Sequence, residues 1–107
     1  MPPPPDADRL ARARRLADVG RLDEALAACR ACLGGPSADL FALLGVLHQA
    51  RGEADEAARC FERALYLEPG HRDALTHLML LRRERGDHAQ AALLQRRLGR
   101  AAAGGDT

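Results

Sequence analysis

Apolar residues recur three or four positions apart along most of this chain, the spacing that places them on one face of an α-helix. The pattern is clearest between residues 38 and 69. Phe41 and Leu44 share one face of a first predicted helix there, and Ala57 and Phe61 share one face of a second. We therefore predict two consecutive helices in this stretch.

Small and helix-breaking residues stand where these two helices would cross and turn. Gly45 has no side chain, so the second helix can approach the backbone of the first at that point. Gly52 can adopt a positive φ and end the first helix. Pro69 ends the second helix, because it has no N–H to donate to the preceding turn. This order of residues predicts an antiparallel helix pair.

The turn between the two helices has two further copies in the chain. The sequence GEADEA at 52–57 matches GRLDEA at 20–25 and GDHAQA at 86–91. The leading glycines are 32 and 34 residues apart, from 20 to 52 and from 52 to 86. We therefore predict three helix pairs, with second helices that begin near residues 22, 54 and 88. The repeats are expected at about 6–37, 38–71 and 72–100.

Polar residues and prolines mark the ends of this repeated region. Asp6 or Asp8 is expected to cap the first helix, and Ser37 the third. Residues 1–5 are Pro-rich, which suits either a stiff linker or a tail with no role. Residues 101–107 are expected to form a disordered tail.

Composition supports an all-helical fold. The chain has 107 residues, enough for one small domain, with no Ile and few other β-branched residues. Sheets depend on β-branched and aromatic side chains, and only three aromatic residues are present. The expected fold class is therefore all-α, without strands.

Charge and hydropathy exclude several classes of partner. The formal net charge is +1, whereas nucleic-acid-binding domains usually present a strongly basic face. No apolar run approaches the length of a membrane span, and no secretory signal precedes the helices. Three cysteines beside a good helical core indicate a reducing setting, so we expect a cytoplasmic protein.

Cys29 and Cys32 form a C-x-x-C motif, which suggests either a redox pair or half of a zinc site. A zinc site needs further ligands, and the four histidines show no paired spacing. In the repeat alignment Cys29 occupies the Phe61 position and Cys32 the Ala64 position, so we interpret both as core residues. We expect no catalytic residue, no metal and no cofactor.

The last helix carries Leu93, Leu94 and Leu98 and has no successor to pack against. These leucines are either partly exposed, which would support self-association, or divided between the faces of an amphipathic helix.

The spacing in 38–69 resembles the tetratricopeptide repeat, in which a bulky residue, Leu-Gly, an aromatic, Ala-x3-Phe and Pro recur at fixed positions. Phe41 stands where this family usually has Trp, and His48 where it has Tyr. The resemblance implies six antiparallel helices in a right-handed α-solenoid. It also implies a concave groove, lined by the first helix of each pair, that binds a peptide or protein segment.

Carrying the family's groove positions onto this chain gives a set of candidate partner-binding residues. They are Arg14, Asp39, Leu43, Val46, Gln49, Asp73, Thr76, His77, Leu80 and Arg83. The alternative is a groove that holds water or another part of the native protein. Arg83 has a second interpretation as a solvated cation at a helix C-terminus.

A narrower resemblance lies between Phe61 and Asp87. The run ALYLEPGH at 64–71 and the pair His77-Leu78 are similar to the tetratricopeptide tail of CheR-type methyltransferases of chemotaxis and biofilm signalling. That resemblance implies an upstream catalytic domain that transfers methyl groups from S-adenosylmethionine to receptor glutamates. The tail would dock or regulate, with a chemoreceptor or its own catalytic domain as partner. The alternative is a free-standing adaptor or assembly factor.

Overall fold

A computed structural model describes residues 5–32, 35 and 37–104. These residues form six α-helices and, within those ranges, no strand. The helices are α1 (Pro5–Asp18), α2 (Leu22–Arg30), α3 (Ala38–Ala50), α4 (Ala54–Leu67), α5 (Arg72–Glu84) and α6 (His88–Gly104). Each odd-numbered helix packs mainly against its successor, and α3 also contacts α1 and α5. The predicted all-α stack of three helix pairs is confirmed.

The three pairs share one turn geometry. Gly20, Gly52 and Gly86 have φ values of 80°, 80° and 79°. At the middle turn the Gly52 N–H donates to the Gln49 carbonyl at 3.0 Å, and the next N–H donates to the His48 carbonyl at 2.8 Å. This pair of hydrogen bonds is the Schellman motif, which needs a left-handed residue that only glycine adopts cheaply.

Two helix ends differ from the predicted ones. The first helix begins at Pro5, so Asp6 and Asp8 lie within its first turn and do not cap it; the fixed φ of proline suits this first position. The last helix continues to Gly104, four residues beyond the predicted end. Alanine is the strongest helix former, and half-buried Ala101 packs against the core. Residues 1–4 and 105–107, the rest of the two predicted tails, lie outside the described ranges.

The hydrophobic core has two parts that meet at α3. One part joins α1, α2 and α3 through residues such as Leu26 and Leu47, and the other joins α3 to α6 through Phe61 and Leu75. Leu47, Phe61 and Leu75 are the largest fully buried side chains among the described residues. Because α3 contributes to both parts, it fixes the first and third helix pairs relative to each other.

The predicted close approach at Gly45 is confirmed. A Cβ atom placed on Gly45 would lie 2.5 Å from Cε1 of Phe61, so the aromatic ring occupies the space that a side chain would need. The same ring stacks on His77, with centroids 5.3 Å apart and planes 8° from parallel. The Phe61 ring thus joins α3, α4 and α5.

An ion pair between neighbouring repeats occurs twice in equivalent positions. Arg51, which follows α3, bonds Asp23 in the first turn of α2 with an N–O distance of 2.5 Å. Arg85, which follows α5, bonds Asp55 in the first turn of α4. Each pair connects the end of one repeat's first helix to the start of the preceding repeat's second helix, so it favours the stacked arrangement.

Candidate functional site

A cleft lies on the face formed by α1, α3 and α5, with about 350 Å³ of space that includes solvent at its mouth. Its floor is apolar and consists of Ala42, Leu43 and Val46 on α3. Charged and polar side chains surround this floor. They are Arg14, Asp39, His71, Asp73 and His77.

The cleft contains six of the ten residues predicted for the groove. These are Arg14, Asp39, Leu43, Val46, Asp73 and His77. The other four do not line it; three of them lie on later turns of their helices than the lining residues. The four are Gln49, Thr76, Leu80 and Arg83.

His71 was not among the predicted groove residues, although it lines the cleft and is only 9% exposed. It is the N-cap of α5, where its Nδ1 accepts a hydrogen bond from the Ala74 N–H at 3.2 Å. Its Nε2 lies 2.7 Å from Oδ1 of Asp39. The repeat offset held the signal for this role, because Ser37 caps α3 at the position 34 residues earlier.

These two bonds determine the tautomer of His71 and the chemistry of its surroundings. Since Nδ1 accepts from a backbone N–H, a neutral ring carries its hydrogen on Nε2 and donates it to Asp39. Asp39, Glu68 and His71 bring their ligand atoms within 4.8 Å of one another. In this tautomer, however, Nε2 has no lone pair for a metal ion. The cluster therefore functions as a hydrogen-bonded link between α3 and α5.

The two remaining charged residues of the cleft are exposed. Arg14 lies on α1 and Asp73 in the first turn of α5. Neither makes an ion pair or side-chain hydrogen bond within the part of the chain that the structure describes. The Asp39 carboxylate, by contrast, already accepts from His71. Arg14 and Asp73 thus offer a ligand one positive and one negative group, while the exposed Asp39 carboxylate keeps its charge because a neutral imidazole donates a hydrogen bond without neutralising it.

Cys29 lies in an environment that does not activate its thiol. Cys29 is buried, and this burial, with a smaller contribution from Cys32, raises the pKa of its thiol to about 11. A thiol with such a pKa remains protonated at neutral pH and is a poor nucleophile. The core interpretation needs one correction, because Cys32 is only half-buried. Cys32 lies two residues after the end of α2, where its Sγ lies 3.7 Å from the Ala28 carbonyl.

The leucines of α6 divide between its two faces. Leu94 is buried against the core, while Leu93 is 49% exposed and Leu98 is half-buried. This division agrees with the second alternative, but Leu93 and Leu98 are also partly exposed, as the first alternative holds, and self-association stays a prediction. Another apolar surface lies at the end of α4, where Tyr66 is 88% exposed beside Leu67. No helix in the described ranges combines the length and hydropathy needed to cross a membrane.

Comparison with known proteins places these features in a family. The family model described as tetratricopeptide repeat matches residues 38–71. A probable biofilm formation methyltransferase WspC of Pseudomonas aeruginosa is 50% identical over 88 residues, which cover 80% of this chain and 21% of that protein. The protein of the same name from Pseudomonas putida is 40% identical over 97 residues, which cover 89% of this chain and 23% of that protein.

This chain therefore spans about a fifth of the length of the curated relatives that it matches. The segment that matches the family model is the helix pair at 38–71. Its turn, its close approach at Gly45 and its buried Phe61 follow the repeat pattern. The helix pair at 38–71 is a tetratricopeptide repeat, and most of the chain is similar to about a fifth of two proteins named as probable biofilm formation methyltransferases.

Proposed function

We propose that this domain is a non-catalytic protein-interaction module that binds an extended segment of a partner protein in the cleft between α1, α3 and α5. The observation that supports this function best is the cleft itself, in which three helices present an apolar floor with charged groups at its edges. Such a surface suits peptide recognition, because the floor supplies buried area and the edges supply orientation.

We also propose that the domain is the regulatory tail of a cytoplasmic, S-adenosylmethionine-dependent methyltransferase of the CheR type. The support is the identity to two relatives named as biofilm formation methyltransferases, of which the chain covers only about a fifth. The partner segment then belongs either to a chemoreceptor or to the catalytic domain of the same protein.

The binding surface is tested by photo-crosslinking in source cells. A photoreactive phenylalanine analogue at Leu80, which is 39% exposed and one turn beyond His77, leaves the lining of the cleft intact. The matched control carries the same analogue at Tyr66, at the far end of α4. We expect a partner adduct from Leu80 and none from Tyr66. Adducts from Tyr66 alone would refute the cleft as the binding surface.

Substitutions at the edges of the cleft give a second test. His77→Ala is a poor choice, because the His77 ring also packs on buried Phe61. Arg14→Ala and Asp73→Ala remove exposed groups without a partner in the described part of the chain, so they should weaken partner binding without lowering the melting temperature. Unchanged binding in both variants would contradict the proposal.

The methyltransferase context is tested with an antibody against this domain. The mass of the chain is 11.5 kDa. We expect an immunoblot of source cells to show a much larger protein, and that protein to bind S-adenosylmethionine. A single band at the mass of this chain would refute the methyltransferase context and favour a free-standing adaptor.

A further inference from the structure

We propose that the cleft selects a segment with a specific order of chemical groups: an acidic group at the α1 end, an apolar side chain in the middle, and a basic N–H donor at the α5 end. This inference rests on the proposed function and specifies its partner. It follows from two charges that have no partner in the part of the chain that the structure describes, and from the pairing of an equivalent aspartate there.

The two unpaired charges of the cleft lie on opposite sides of α3. Arg14 belongs to α1 and Asp73 to α5, and α3 contacts both of these helices. Within the described ranges α1 and α5 make no comparable contact with each other, so the two charges cannot neutralise each other at short range. A ligand that crosses all three helices meets a cation first and a carboxylate last.

The chain itself shows what an aspartate at this repeat position binds. Asp39 and Asp73 are 34 residues apart and both lie in the first turn of a repeat's first helix. Asp39 accepts a hydrogen bond from the imidazole of His71, the N-cap of the following repeat's first helix. Asp73 has no equivalent donor in the part of the chain that the structure describes. A ligand with His, Lys or Arg at this point would complete the pattern, since all three donate N–H groups.

The middle of the cleft accepts an uncharged side chain. Ala42, Leu43 and Val46 form its floor, and none of them offers a side-chain hydrogen bond. Arg14 and Asp73 line the same cleft, which has about 350 Å³ of space, so a short extended segment can reach both charges. The preferred ligand therefore has its acidic and basic residues a few positions apart, with an apolar residue between them.

Peptide selection on purified protein tests this order of groups. A displayed library of random peptides roughly twelve residues long, enough to cross the domain, is panned on the wild type and on two charge-reversed variants. Arg14→Glu makes both ends of the cleft acidic, and Asp73→Arg makes both ends basic. Arg96→Glu is the control, because Arg96 is exposed on α6 away from the cleft.

We expect the wild type and R96E to enrich peptides with one acidic and one basic residue. R14E should enrich peptides with two basic residues, and D73R peptides with two acidic residues. Each matched charge is expected to change the dissociation constant roughly two- to fivefold, because exposed ion pairs are weak. The neutral variants R14Q and D73N should lose the preference at one end only, which keeps the test valid if a reversed variant folds poorly.

Two results would overturn the inference, and they are distinguishable. Enriched peptides that crosslink to the photoreactive residue at Leu80 but whose charges do not change with R14E or D73R would refute the order of groups and leave the proposed function intact. Enriched peptides that crosslink only to the photoreactive residue at Tyr66 would refute the cleft as the binding site, and the proposed function with it.

Discussion

The contact between Gly45 and Phe61 makes a quantitative prediction about stability. In Gly45→Ala the new Cβ would lie 2.5 Å from Cε1 and 2.7 Å from Cδ1 and Cζ of the Phe61 ring. Carbon atoms pack at about 3.5–4.0 Å, so the ring would need to move by about 1 Å. It cannot do so freely, because Phe61 is fully buried and its ring is stacked on His77.

The expected free-energy change combines two opposing effects. Overpacking a buried site costs about 1–3 kcal/mol, and three ring atoms within 2.7 Å favour the upper end of this range. Replacing glycine by alanine within a helix gains about 1 kcal/mol. We therefore expect G45A to lower the free energy of unfolding by about 2 kcal/mol.

Gly99 provides the matched control. It lies within α6 (His88–Gly104), it is exposed, and a Cβ atom at Gly99 would meet no other atom within 4 Å. G99A should therefore show the helix-propensity gain alone and raise the free energy of unfolding by about 1 kcal/mol. The same substitution in two helices is thus expected to have opposite effects.

Urea unfolding followed by far-ultraviolet circular dichroism measures these changes. The same G45A substitution is then made in a protein that already carries Phe61→Leu, in which the ring atoms that meet the new Cβ are absent. The cost of G45A should fall to less than half in that background, a coupling that a double-mutant cycle detects. If G45A and G99A change stability alike, or if the cost of G45A is the same with Phe61 and with leucine, the steric reasoning is refuted.

Three further predictions concern the capping, the ion pairs and the thiols. His71→Ala removes the N-cap of α5 and should lower the free energy of unfolding by about 1–2 kcal/mol in urea titrations, whereas H71N should recover part of the loss; equal losses would contradict the capping role. The Arg85 hydrogen bond lowers the pKa of Asp55 from its ordinary value of 3.8, so its contribution to stability is present at neutral pH and is lost as the pH falls below about 3.8. Asp55→Asn should therefore lose less stability than the wild type between about pH 4 and pH 2, and parallel pH curves would count against the pairing. Cys29, with a thiol pKa of about 11, should resist a thiol reagent until urea unfolds the chain. Rapid labelling of Cys29 itself in the native protein, located by peptide mass spectrometry, would show that its burial is incomplete.

The sequence predicted local structure well because local rules govern it. The turn glycines, the Ser37 cap and the crossing at Gly45 depend on steric and hydrogen-bonding requirements within one repeat, and all are present in the structure. The two errors at helix ends have the same local origin. Pro5 can begin a helix as well as precede one, and the alanines after residue 100 extend a helix that already has a packed face.

The prediction of the groove was less complete for a physical reason. Repeat alignment identifies the helix face that each residue occupies, and this was sufficient to find Leu43, Val46 and Asp73. The alignment does not show how far the cleft extends along the helix axes, so the prediction also included residues on later turns, such as Arg83. His71 was missed because capping residues lie outside the helices on which the alignment rests.

The sequence by itself determined the all-α class, the order of three helix pairs and the close approach of two helices, since each follows from spacing and residue type. Only the tertiary structure decided which polar groups have partners. The bond between His71 and Asp39 joins residues 32 positions apart, and the chemistry of the cleft depends on it. Hydrogen bonds between repeats form only when the helices stack at one separation and one angle, and a sequence does not show this. Asp73 has no such bond in the described part of the chain, so it is available to a ligand.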